Sequence, residues 1–116
     1  MENIEEKLEN IVTWANEKKA EEIAVIDVSR KSSFTDRFVL CTGNGKVHTK
    51  AIAENILDKA KQNQYLLIGK EGIDVGEWIL LDYGDIIVHI FDEPIRGHYN
   101  LEELWRKMPN REIQEG

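Results

Sequence analysis

Ile4, Leu8, Ile11, Val12 and Ala15 recur at three- and four-residue intervals, a stripe that predicts an amphipathic helix over residues 4–19. Asn3 followed three residues later by Glu6 has the form of an N-terminal capping box. Two short runs rich in β-branched residues follow, 23–28 and 38–42, joined by the polar connection Ser32-Ser33-Phe34-Thr35-Asp36. Their unbroken apolar character predicts strands buried on two faces. Gly43-Asn44-Gly45 then supplies a turn into a second helix, 46–62, with Thr49, Ile52, Ala53, Ile56, Leu57 and Ala60 on one side. Tyr65-Leu66-Leu67-Ile68 reads as a third strand, 69–76 as a flexible connection, and 77–82 and 85–91 as two further strands flanking Tyr83-Gly84. Near the end, Asn100 and Glu103 repeat the capping signature. Leu101, Leu104, Trp105 and Met108 then give a last short helix its apolar face, and Pro109 ends it.

The predicted order is therefore helix, two strands, helix, three strands, short helix. That order implies an α/β fold, a mixed sheet of about five strands with helices mainly on one face. At 116 residues the chain suits one domain, expected over residues 1–109, with 110–116 as a loose tail. Hydrophobic residues make up 41% and charged residues 32%, a globular balance with no low-complexity tract. The net charge of −7 disfavours broad binding to phosphate backbones and suits a basic protein partner. A single cysteine, Cys41, excludes an internal disulfide; no secretory signal or membrane-length apolar run is visible, so a soluble cytoplasmic protein is expected.

The hairpin near residue 83 carries most of the remaining information. With Tyr83-Gly84 as a two-residue turn, Asp82 lies across from Asp85, Leu81 from Ile86, Leu80 from Ile87, Ile79 from Val88 and Trp78 from His89. Alternation then sends Ile79, Leu81, Ile86, Val88 and Ile90 to one face, a purely aliphatic set that suits the core under the helices. The other face gathers Trp78, Leu80, Asp82, Asp85, Ile87, His89 and Phe91. Two readings of that face are open. Trp78 and Phe91 fill a second small core and leave the aspartates solvated, or the mixed set is an interface. Unpaired carboxylates are costly to bury and tryptophan is enriched at interface centres, so the interface is the favoured reading.

Signals for chemistry are weak by comparison. Gly43-Asn44-Gly45-Lys46 before a helix suggests a phosphate loop, but Leu40 and Val47 occupy places where that pattern needs Gly and Ser or Thr. His48, His89 and His98 lack the spacing of zinc ligands, and Cys41 sits in an apolar run where burial disfavours a reactive thiolate. Asp27, Asp36, Asp82 and Asp85 fit structural or interfacial roles better than a cation cluster. No catalytic residue, metal or cofactor is expected. The main rival is a nucleotide-binding or nucleotidyltransferase-like activity using Asp27, Asp36 and the Gly43-Asn44-Gly45 turn, and a third reading is a homodimeric scaffold for another basic protein.

Asp27, Ser33, Thr35-Asp36, Phe38-Val39, Thr42-Gly43, His48, Glu71-Gly72, the long hairpin and Tyr99-Asn100-Leu101-Glu102 with Leu104-Trp105 together resemble the ribosomal silencing factor (Iojap-like) family. The likeness runs from about Ala20 to Trp105. Departures are Gly45 in place of the usual Ser, Val47 in place of a polar or basic residue, and Gly97-His98 in place of an acidic and an aromatic residue. The resemblance implies a nucleotidyltransferase-like fold without the enzymes' Gly-Ser and paired-Asp motif, reused for binding. It also implies binding to the large ribosomal subunit through ribosomal protein L14, blocking small-subunit joining when nutrients are scarce; homodimers occur among relatives. On this chain the expected contact set is Trp78, Leu80, Ile87 and Phe91 as an apolar centre. Asp82, Asp85 and Glu71 would pair with basic groups, and Tyr83 and His89 lie within the same surface.

Overall fold

The computed structural model describes residues 3–30, 33 and 35–94. Within them the elements run α1 (Ile4–Glu17), β1 (Glu21–Asp27), β2 (Arg37–Gly43), α2 (Lys46–Gln62), β3 (Gly69–Glu71), β4 (Trp78–Asp82) and β5 (Ile86–Asp92). The last predicted helix and the tail lie outside the described residues. The five strands form one mixed sheet in the order β1-β2-β5-β4-β3, in which only the β2–β5 pair is parallel. A parallel pair needs a long crossover, and the segment carrying α2 lies within it.

Local chemistry explains the helix limits. The Asn3 side chain accepts a hydrogen bond from the Glu6 amide at 2.8 Å, the cap expected from the sequence. Leu8, Ile11 and Ala15 are buried as the stripe predicts, and Trp14 joins them. On α2 the buried face is Thr49, Ile52, Ala53, Ile56 and Ala60, with Leu57 partly covered. Both helices pack on one face of the sheet against Val39, Cys41, Ile79, Leu81, Ile86, Val88 and Ile90, so the aliphatic hairpin set is the core face as expected.

Three details differ from the sequence reading. β1 is an edge strand with a bulge between Glu21 and Ala24, and Val25 is 47% exposed, so β1 is not buried on two faces as β2 is. The third strand falls at Gly69–Glu71 rather than 65–68. There the Tyr65 amide donates to the Ala60 carbonyl at the end of α2, its ring leans on Trp14, and its hydroxyl accepts from Asn10. Residues 65–68 therefore begin by closing the helix layer, and pairing with β4 starts later.

The hairpin register also differs, by two residues. Asp82 lies across from Ile87, Leu81 from Val88, Leu80 from His89, Ile79 from Ile90 and Trp78 from Phe91. The Tyr83 amide donates to the Ile86 carbonyl, which makes Gly84-Asp85 the two-residue turn. Gly84 has φ +89, the positive value that the first central position of a II′ turn wants and that tyrosine adopts only at a cost. Because side chains alternate with period two, a two-residue shift leaves each strand residue on its expected face.

Candidate partner-binding surface

The face away from α1 and α2 is built in rows across the sheet. Ile26, Phe38, Ile87 and Asp82 form one row, Ala24, Leu40, His89, Leu80 and Glu71 the next, and Thr42, Phe91 and Trp78 the third. Four rings meet there. Phe91 lies 5.0 Å from Trp78 and 6.1 Å from His89 in a parallel stack, and Phe38 stands edge-on to His89 at 4.8 Å. The Trp78 indole nitrogen donates to His89 Nδ1 at 3.0 Å. An indole nitrogen can only donate, so Nδ1 carries no proton and the neutral ring holds its proton on Nε2. Complete burial favours the same state, pushing the His89 pKa down from 6.5 to about 3.

Burial corrects the expected apolar centre. Leu80, Ile87 and Phe91 are at most 4% exposed and, with Val28, Phe38 and Leu40, constitute a second hydrophobic core. His89 is fully buried within it. The mixed face tolerates an imidazole because the ring is neutral and hydrogen-bonded, which removes the charge penalty that made the face look unsuited to a core. Tyr83 is also buried, on the helix side, where loss of water pushes its hydroxyl pKa up to about 12.

The acidic residues separate into two groups. Asp82 and Glu71 share the second face at its β4–β3 margin, Asp82 half-buried and Glu71 exposed. Trp78, also half-buried, lies on that face next to the Glu71–Leu80 row. One Asp82 oxygen accepts from the Gly84 amide at 2.8 Å and shapes the turn. Asp85 belongs elsewhere: as a turn residue its carboxylate reaches Lys7 of α1 at 2.7 Å, beneath which lies the Tyr65 ring. It does not share the Asp82 face, and sequence reasoning missed Lys7 because the turn was centred one residue early.

The candidate nucleotide site does not assemble. Asp27 and Asp36 flank the start of β2 and Gly43 its end, and seven strand residues separate the two ends by roughly 20 Å. At the α2 start the Gly45 amide donates to Asp92 Oδ1 at 3.1 Å and the Asn44 amide to His48 Nδ1 at 2.7 Å. Amides that would cradle a phosphate are thus engaged by the chain's own side chains. Asp27 accepts from both the hydroxyl and the amide of Ser29, which, helped by nearby Arg37 and Arg30, holds its carboxyl below the usual range. Among the described residues no three His, Cys, Asp or Glu side chains converge as a metal site, Cys41 is buried, and no helix is long and apolar enough to cross a membrane.

Comparison with known proteins agrees with this architecture. The family model described as "Ribosomal silencing factor during starvation" matches residues 1–116. The chain is 38% identical to the ribosomal silencing factor of Bacillus subtilis over 101 residues, 87% of this chain and 86% of that protein. A more distant relative is the mouse protein named for mitochondrial assembly of the ribosomal large subunit, 28% identical over 84% of this chain but 44% of the longer protein. A crystal structure from Chromobacterium violaceum superposes with a TM-score of 0.84 at 29% identity, covering 99% of this chain and 95% of the other. The family-model match along the whole chain and the identity to the Bacillus subtilis factor show that it belongs to the ribosomal silencing factor family, ribosome-associated regulators of translation.

Proposed function

We propose that this chain binds the large ribosomal subunit through ribosomal protein L14 and, by occupying that position, keeps the small subunit from joining, so that translation is repressed when nutrients are limiting. The observation that carries the site assignment is the placement of Asp82 and Glu71 on one face beside the half-buried Trp78. Carboxylates at the margin of an apolar surface steer a basic partner and fix its orientation. Behind them Leu80, Ile87, His89 and Phe91 form the rigid floor that holds Trp78 in one orientation through the indole–imidazole hydrogen bond. Tyr83 and Asp85 shape the hairpin end from the helix side, where the Lys7 ammonium balances the Asp85 charge.

Steric exclusion asks for occupancy rather than catalysis. A standard interface covers roughly 800 Å² per partner, about an eighth of the 6822 Å² surface of the chain. The test is co-sedimentation with purified large subunits, comparing the natural protein with Glu71→Lys/Asp82→Lys. Binding should weaken at least several-fold, chiefly through slower association, and the loss should shrink as salt is raised. Equal binding of the charge-reversed protein would remove these residues from the site.

A further inference from the structure

Leu66 and Ile68 are the most exposed large apolar side chains near the hairpin, at 77% and 62%, and among the described residues neither joins a hydrophobic core. Their neighbours Tyr65 and Leu67 pack inward against the helix-side core, so alternation turns Leu66 and Ile68 outward. Ile68 is nevertheless fixed in place. Its amide donates to the Asp82 carbonyl at 2.7 Å, and its side chain leans over the turn so closely that a Cβ on Gly84 would stand 3.2 Å from Ile68 Cδ1. We propose that Leu66 and Ile68 form the apolar anchor by which this chain seats on a basic protein partner, at the open β3 end of the sheet.

The partner's chemistry follows from the surroundings. Beside Ile68, whose amide bonds the Asp82 carbonyl, the β3–β4 margin carries Asp82 and Glu71 against Lys70, while Asp85 at the turn is already paired with Lys7. An apolar pair beside the Asp82 and Glu71 carboxylates fits a partner surface that offers an apolar groove flanked by Lys or Arg. A second copy of this chain would bring the same two carboxylates against their own counterparts, an arrangement that like charges oppose. The β3 edge is also short and charged, with Lys70 and Glu71, which discourages strand-on-strand pairing between copies. The anchor supplies what the second face lost when Leu80, Ile87 and Phe91 proved buried, namely apolar area that a partner can remove from water.

The inference rests on the ribosomal reading above, and one experiment separates them. Leu66→Ser/Ile68→Thr, Glu71→Lys/Asp82→Lys and a distant control, Val25→Ser on the opposite edge, are compared with the natural protein for co-sedimentation with large subunits. Thermal melts check folding and analytical ultracentrifugation the oligomeric state. Burying two such side chains contributes enough that their loss should weaken binding roughly 10- to 100-fold, with the melt and the Val25→Ser protein unchanged. Binding by Leu66→Ser/Ile68→Thr equal to the natural protein overturns the anchor while leaving the ribosomal reading intact. A shift from dimer to monomer with unchanged subunit binding assigns the patch to a second copy and likewise overturns it. Absence of binding by the natural protein removes both.

Discussion

His89 should make the fold sensitive to mild acid. Its ring is fully buried between Phe38 and Phe91, and Nδ1 is already committed to the Trp78 indole, so protonation would place an unsolvated cation against a donor. In the unfolded chain the same imidazole takes up a proton near pH 6.5; in the folded protein it resists until about pH 3. Below 6.5 the unfolded state therefore binds more protons than the folded one, and stability must fall as pH falls, through to about pH 3. Between pH 7 and pH 5 this single group removes about 2 kcal/mol of stability, and acidification from pH 7 to pH 3 removes about 4 kcal/mol.

Urea unfolding followed by circular dichroism at pH 7 and pH 5 measures the effect. Other groups also titrate, so the informative quantity is the difference between the natural protein and His89→Asn, whose side-chain oxygen can still accept from Trp78. The variant starts less stable, because packing is lost, but its stability should decline by about 2 kcal/mol less over that interval. Imidazole resonances give an independent reading: the His89 signal should stay neutral down to pH 5. An identical pH loss in the two proteins, or an imidazole that titrates near pH 6, would refute the account of this face as a closed core around a neutral histidine.

Other expectations concern single positions. Gly72→Ala should cost at least about 2 kcal/mol, since a left-handed backbone already disfavours a side chain and a Cβ at φ +79 would fall 2.1 Å from the Trp78 carbonyl. Gly69→Ala, where nothing lies within 4 Å, should be tolerated, and equal urea midpoints for the two would contradict the backbone assignment. Asn3→Ala should lower stability by about 1 kcal/mol by removing the α1 cap, seen as a lower midpoint with an unchanged denaturant slope.

How much of this was legible in the sequence depends on which physical rule each feature obeys. Helix faces and the aliphatic hairpin face follow from periodicity, and they survived a register error because a two-residue slip preserves alternation. The turn itself was readable in principle: Gly84 followed by Asp85 offers the positive φ that Tyr83 lacks, but Asp82-Tyr83-Gly84-Asp85 contains two plausible centres. The exposed Leu66 and Ile68 were hidden inside a four-residue apolar run, where composition alone cannot say which side chains turn outward. Strand propensity favoured Tyr65–Ile68, and tertiary contacts of Tyr65 with Trp14 and Asn10 overrode it.

The second face was the hardest feature because its polarity is not a property of residue types alone. Histidine is polar when charged and is acceptable core material when neutral and paired, and the pairing donor, Trp78, lies eleven residues away on another strand. Once His89 is neutral, the face divides by depth: Leu80, Ile87 and Phe91 close a core, while Asp82 and Glu71 remain at its β4–β3 margin where water reaches them. On the proposed reading, stability and recognition use different atoms of one structure. The buried rings fix the Trp78 side chain, and the margin carries the charge. Substitutions in the floor should therefore act on folding, whereas substitutions at the margin should change association with the melt nearly constant. A charge reversal at Asp82 and Glu71 that lowered the melt as much as a floor substitution would remove that division of labour.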